Sequence, residues 1–203
     1  IISIIALSLF VLSHQGLCAE DFSSWLDEVR QEARTKGISE TTLHEALDNL
    51  EPIPRVIELD RRQPEFTQTF LNYLNKRVTP GRIARGQEML QKHRDLLAQQ
   101  YKKYRVPPRY LVAFWGLETN FGSYLGSFSV VKSLVTLAYD ERRSDFFRKE
   151  LLDALTIIDQ GHVSVADMKG SWAGAMGNLQ FLPSTFLKYS VDANGDGKKD
   201  VWH

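Results

Sequence analysis

Apolar residues recur along most of this chain at the three- and four-residue steps of amphipathic helices. Trp25, Leu26 and Val29 predict a short helix closed by Gly37. Ser39 is placed to cap a second, with Leu43, Leu47 and Leu50 on one face. Glu51-Pro-Ile-Pro54 breaks that run. Between Ile57 and Val78 the pattern is mixed: Pro64 interrupts it, and Phe66, Phe70, Leu71 and Leu74 predict a helix after it. Thr79-Pro80, a capping hydroxyl followed by proline, opens the next element. From there Ile83, Leu90, Leu97, Tyr101 and Tyr104 follow at steps of seven, seven, four and three. That spacing predicts one long amphipathic helix; a coiled-coil arm would need more heptads. Val106-Pro107-Pro108 ends it, and a further helix runs from near Arg109 to about Phe121, with Gly122 as its cap. Phe146, Phe147, Leu151, Leu155 and Ile158 mark another, closed by Gly161. Alternating β patterns are scarce, and there is no internal repeat. The expected fold is mainly α, with a weak boundary at Pro107-Pro108 between a helical region 20–105 and a region 106–203 that carries the polar motifs.

The first residues break this pattern. Ile1 to Leu12 holds ten apolar residues in twelve, too short for a bilayer span of roughly 20 and suited to the h-region of a signal peptide over 1–19, cleaved after Ala19. A buried strand or helix is the alternative. A lipidated Cys18, which would anchor the protein to a membrane, is a third reading, and Leu17 directly before it fits that poorly. The start at Ile1 without Met, and the stop at His203 within an Asp-rich loop, read as the ends of a fragment. Cys18 is the only cysteine, so the mature chain would rely on its core rather than on disulfides.

Composition narrows the partners. Of 203 residues 43% are hydrophobic and 25% charged, an ordinary globular balance. The 25 basic and 25 acidic residues cancel, which removes the broad positive field of a nucleic-acid binder and leaves a polymer such as a glycan open.

Three polar features carry candidate chemistry. Glu118 follows Phe114 and Trp115 by one helical turn and Leu111 by two. That spacing predicts a carboxyl on the apolar stripe, kept protonated by desolvation and by the negative end of the helix dipole, and so able to give a proton to a leaving oxygen. A structural Glu at a frayed helix end is the alternative. Lys169 to Ser184 interleaves small residues with Trp172 and Met176; Ser171, Asn178 and Gln180 offer donors and acceptors for sugar hydroxyls and N-acetyl groups, unless the segment is only a tight packing turn. Asp192-Ala-Asn-Gly-Asp-Gly matches the first half of an EF-hand-like loop. Asp192, Asn194, Asp196 and the Lys198 carbonyl would then ligate Ca²⁺, with Asp200 acting at most through water. His203 stands where the closing carboxylate belongs, and a polar turn that binds nothing is the alternative.

Together these residues resemble the B-type lytic murein transglycosylases. The resemblance runs from about Trp25 to Trp202. It rests on Gly116-Leu-Glu-Thr-Asn-Phe-Gly122, Lys169-Gly-Ser-Trp-Ala-Gly-Ala-Met-Gly177, Gln180-Phe-Leu-Pro-Ser184 and the Asp192 loop in that order, with Val56 to Phe66 upstream. It implies a lysozyme-like catalytic domain beside a further helical domain, in an exported, periplasmic monomer acting on peptidoglycan glycan strands. It implies Glu118 as the single catalytic acid and base, Ser171 and Gln180 along the glycan groove, Arg142 and Arg143 facing substrate, and the Asp192 loop as a structural calcium site. The implied reaction cleaves the MurNAc-GlcNAc bond and leaves a 1,6-anhydro end. A hydrolytic muramidase on the same fold and a non-catalytic peptidoglycan-binding module are the rival readings.

Overall fold

The structure, a computed structural model, describes residues 21–62 and 68–203. The expected signal peptide, Cys18, Pro64 and Phe66 lie outside the described residues. The chain is mainly α. Two short strands, β1 (Phe128–Ser129) and β2 (Lys169–Gly170), pair antiparallel with Phe128 opposite Gly170.

The first two helices follow the sequence closely, and a third forms where the sequence suggested only a break and a mixed pattern. α1 (Phe22–Thr35) buries Trp25, Leu26, Val29 and Ala33, and Gly37 after it takes a positive φ of 85°. α2 (Glu40–Leu47) starts where the Ser39 hydroxyl accepts the Thr42 amide. α3 (Pro54–Arg61) starts on the proline that ends the preceding turn, and buries Val56 and Asp60. α4 (Phe70–Arg77) is capped by Thr69 and buries none of its residues.

The long helix expected after Thr79 is two helices. α5 (Pro80–Lys92) begins with the Thr79 hydroxyl accepting the Arg82 amide. It ends at His93, whose φ of −105° and ψ of 20° leave the helical region, and α6 (Arg94–Tyr104) starts afresh from there. Periodicity could not reveal this break, because a one-residue interruption leaves the apolar spacing almost intact. Of the five residues that suggested one stripe, only Leu97 is buried; Ile83, Tyr101 and Tyr104 are exposed.

α7 (Pro108–Thr119), α8 (Val130–Tyr139), α9 (Ser144–Asp159) and α10 (Pro183–Tyr189) complete the helices. Two hydrophobic clusters hold them. The larger takes Leu43, Leu47 and Val56 from α2 and α3, most of α8, Leu151, Leu155 and Ile158 of α9, and Phe186 of α10. The smaller joins Met89 of α5, Leu97 of α6, Val112 of α7 and Phe121, with Leu111 and Trp115 against it. The clusters therefore do not divide at Pro107-Pro108: α1–α3 share a core with α8–α10, and α7 shares one with α5 and α6. Glu150, 3% exposed on α9, accepts the Ser184 amide at 2.9 Å and its hydroxyl at 2.6 Å. It places a carboxylate at the amino end of α10, where the helix dipole favours it.

Candidate active site

The site is built on the end of α7. Pro107 and Pro108 start this helix, since proline in the first turn lacks only an amide that would be unpaired anyway. Three successive residues in the left-handed region stop it: Asn120 (φ 52°), Phe121 (φ 58°) and Gly122 (φ 77°). For a phenylalanine that conformation costs roughly 1–2 kcal/mol. The turn lets the Phe121 amide reach back to the Trp115 carbonyl at 3.2 Å and sends its ring under α7. There a Cβ on Gly116 would stand 2.6 Å from the ring. Burial of the ring, worth about 1.5–3 kcal/mol, offsets the strain.

Glu118 projects from the opposite side of α7. It is exposed, and so are Tyr110, Phe114 and Leu117. The buried positions of the helix are Val112, Gly116 and Thr119. The expected burial of Glu118 on the core-facing stripe is thus incorrect. Of its apolar neighbours one turn back, Phe114 faces outward, while Trp115 packs on the smaller cluster. Glu118 makes no hydrogen bond or ion pair among the described residues, and its aim comes from the backbone alone.

Beside it lies the segment 169–184, folded back on itself by bridges of Met176 to Gly170 and to Phe181. Two close approaches make glycine necessary here: a Cβ at Gly126 would stand 2.1 Å from the Gly170 carbonyl, and one at Gly177 would stand 2.3 Å from the Val201 carbonyl. The Ser171 hydroxyl accepts the amides of Ala173 at 3.3 Å and Ala175 at 3.0 Å, so it shapes the turn and keeps only its proton to offer outward. Gln180 takes a positive φ of 50° and donates its amide to the carbonyls of Leu125 at 3.2 Å and Gly177 at 3.1 Å. Its amide oxygen has no partner among the described residues. Ser171 and Gln180 therefore both sit in one loop, and that loop is tied to α7.

The tie is Asn178, which sequence reasoning set among the sugar-binding groups. Its Oδ1 accepts the Trp115 indole N–H at 2.8 Å, and its carbonyl accepts the Thr119 hydroxyl at 2.9 Å. Its own amides are spent on Val201 and Trp202. With both functions of the side chain bonded to protein, it is a structural joint.

Arg142 and Arg143 are held elsewhere. Both pair with Asp60 of α3, which is 2% exposed: Arg142 Nε donates to Oδ2 at 2.8 Å, and Arg143 Nη2 donates to Oδ1. Arg143 also lies over the Phe147 ring. A cleft of about 800 Å³ opens beside Arg142, lined also by Trp25, Ile57 and Tyr139. None of its lining residues comes from α7 or from 169–184. Asp60 went unremarked in the sequence, yet it stands four residues after buried Val56 on the same face of α3, a signal that periodicity offers.

The Asp192 loop curls on its own acids. Asp192 accepts the amides of Gly195 at 2.7 Å and Gly197 at 2.9 Å, which hold its carboxyl below the usual range, Gly197 foremost. Asn194 donates to Asp196 at 3.0 Å. Asp192, Asn194, Asp196 and the Lys198 carbonyl supply hard oxygen donors at alternate positions, a set that fits Ca²⁺. They supply two carboxylates, and no group of three or more His, Cys, Asp or Glu gathers among the described residues. Asp200 caps the Trp202 amide at 2.7 Å and pairs with His203 at 2.8 Å.

Glu118 thus stands exposed near the end of a helix that Asn178 ties to a Gly-rich loop. A family model described as Transglycosylase SLT domain matches residues 21–203, and the chain belongs to that family. Membrane-bound lytic murein transglycosylase B of Escherichia coli (strain K12) is 31% identical over 176 residues, 82% of this chain and 49% of that protein. This chain thus spans about half the length of the curated relative it matches. SltB3 from Pseudomonas aeruginosa, crystallised in complex with NAG-NAM-pentapeptide, is 44% identical with a TM-score of 0.85, covering 90% of this chain and 49% of that one. The Escherichia coli lytic transglycosylase Slt35 in complex with calcium is 30% identical with a TM-score of 0.76, covering 89% and 57%. The mainly α, lysozyme-like fold expected from the resemblance is the fold these structures share with it.

Proposed function

We propose that the protein is a peptidoglycan lytic transglycosylase in which Glu118 is the single acid and base. The observation that carries this is Glu118 itself: a free, outward carboxyl on a helix end, flanked by exposed Phe114 and Leu117 and fixed beside the loop of Ser171 and Gln180. A sugar ring laid on those apolar side chains would exclude water from the carboxyl. Glu118 then protonates the oxygen between N-acetylmuramic acid and N-acetylglucosamine. The bond from that oxygen to the muramyl C1 breaks, and the N-acetyl oxygen of the same muramyl residue steadies the positive centre. The Glu118 carboxylate next takes the proton of the muramyl 6-hydroxyl as that oxygen closes on C1. The products are a free N-acetylglucosamine end and a 1,6-anhydro muramyl end, with no water consumed. A crystal structure of the relative SltB3 in complex with NAG-anhNAM-pentapeptide supports this course.

Ser171 and Gln180 serve the glycan through the hydroxyl proton and the amide oxygen that the loop leaves unused. Arg142, where it lines its cleft, serves a more distant part of the substrate, with Arg143 holding it through Asp60. Asp192, Asn194, Asp196 and Lys198 would hold Ca²⁺ as a structural ion, and the calcium complex of Slt35 supports that assignment. Export to the periplasm follows from the substrate and from Ile1–Ala19. Digestion of sacculi by the intact protein in ¹⁸O-labelled water tests the reaction. The expected muropeptides carry no label and are each one water lighter than hydrolytic products, because a hydroxyl on the same sugar outruns bulk water. Labelled muramyl ends would replace this reading with a hydrolytic muramidase.

A further inference from the structure

Glu118 stands on α7, whose Val112 lies in the smaller hydrophobic cluster, whereas Ser171 and Gln180 stand on a segment whose Met176 lies in the larger one. The distance between acid and groove is therefore set wherever the two clusters join. We propose that Asn178 is the positioning residue of Glu118, clamping the end of α7 to the Gly-rich loop and to the strand of chain at Val201-Trp202. This rests on the transglycosylase reading above.

The geometry is specific. Trp115 and Thr119, the two residues that Asn178 holds, precede Glu118 by three positions and follow it by one. Thr119 extends the hold into the turn: its hydroxyl accepts the Gly122 amide at 3.1 Å. A Cβ on Gly122 would stand 2.8 Å from the Asn178 Oδ1, so the amide lies directly against the backbone that ends the helix. On its other side the Asn178 backbone N–H donates to Val201 at 2.7 Å, and its Nδ2 donates to Trp202 at 3.1 Å. Trp115 is in turn wedged between the His93 and Phe121 rings, so a pull on its indole moves the helix as a unit. Glu118 has no bonded partner of its own to correct a shift of this backbone. A displacement near 1 Å at a reacting group can cost on the order of 10²-fold in rate.

The test uses the intact protein and two variants. Asn178→Ala removes the side-chain part of the clamp, the bonds to the Trp115 indole and from Nδ2 to Val201 and Trp202, and leaves its backbone bonds to Thr119 and Val201; Trp115→Phe removes one donor while leaving the bonds of Asn178 to Val201 and Trp202, and stays readable if the first variant folds poorly. The expected result is a fall in kcat of about tenfold or more per folded molecule for Asn178→Ala, and a smaller fall for Trp115→Phe. KM for the glycan should stay within about twofold in both, because neither residue is assigned to substrate. The Trp115 indole N–H resonance should also lose its protection from solvent exchange in Asn178→Ala. A folded variant with parental kcat, or a loss confined to KM, would overturn the positioning role while leaving the activity standing. A parent that releases no anhydro ends would instead overturn the activity itself, and the indole resonance would still report whether the clamp exists.

Discussion

Glu118 is a carboxyl among exposed apolar side chains, and no hydrogen bond or ion pair holds it among the described residues. Its replacement by Gln should accordingly leave the fold intact: no bond is lost, and shape is kept. The amide cannot deliver a proton, so turnover of sacculi should fall by at least about 10²-fold, with glycan binding near the parental level in a pull-down on insoluble peptidoglycan. Asp60 is the reverse case. Removing it leaves two guanidiniums facing a buried gap, so Asp60→Ala should lower unfolding free energy by about 2 kcal/mol. That is less than for a fully buried pair, because Arg142 and Arg143 stay 46% and 39% exposed; chemical denaturation would measure it. These two residues also mark what the sequence could reveal. Glu118 stood out because its neighbours within one turn are unusual for a carboxylate. The partners of Asn178 lie 63, 59 and 24 positions away, and no local pattern encodes them, so its amide read as a sugar ligand.

Caps, prolines and glycines at helix ends were legible because each acts within four residues. Thr79-Pro80 and Ser39 begin helices where they were expected to, and Pro54, read only as a break, also starts α3. The break at His93 was not legible, since a one-residue interruption leaves the apolar spacing almost intact, and the contact of its ring with Trp115 joins it to another helix. Gly116 shows the same dependence on tertiary context. In an isolated helix Gly116→Ala would stabilise by up to about 1 kcal/mol; here the new methyl meets the Phe121 ring, and overpacking of this kind costs about 1–3 kcal/mol. Net destabilisation is expected in thermal unfolding, and a smaller one in a Phe121→Leu background, where the ring is gone. A second helix-end device links α9 to α2. Asp159 accepts the Ser39 hydroxyl and amide and the Thr42 hydroxyl. The Ser39 hydroxyl foremost, helped by Thr42 and the Ser39 amide and opposed by burial, lowers its carboxyl from the ordinary value. A carboxyl lowered in the folded state stabilises above the unfolded value near pH 4 and stops doing so as pH falls through the folded value. Asp159→Asn should therefore lower Tm by about 3 °C at neutral pH, with the difference from parent shrinking to nothing in strong acid.

At the scale of the molecule, the described residues form two hydrophobic clusters that Asn178 helps to join, and the Asp192 loop leads directly to the partners of Asn178. Residues 192–200 run into Val201 and Trp202, whose carbonyls receive Asn178, while the Trp202 indole donates to the Lys169 carbonyl at the start of the Gly-rich segment. The loop is exposed along most of its length and buries little of its own, so its order depends on the bonds that Asp192 and Asp196 make. Ca²⁺ on those carboxylates and on Asn194 would remove their mutual repulsion and fix the exit toward Val201. A ligand that binds only the folded state stabilises by RT ln(1 + [L]/Kd), about 2.7 kcal/mol at a hundredfold excess over Kd. Tm of the intact protein should then climb steadily with added Ca²⁺. The double variant Asp192→Ala, Asp196→Ala should show no such climb and should match the calcium-free parent to within the small cost of the lost amide bonds. Mg²⁺ at equal concentration should do far less, since it keeps its waters and demands a tighter octahedron than this flexible set of oxygens supplies. A parent whose melting is indifferent to Ca²⁺ would reduce the loop to a polar turn and leave Val201 and Trp202 to hold Asn178 unaided.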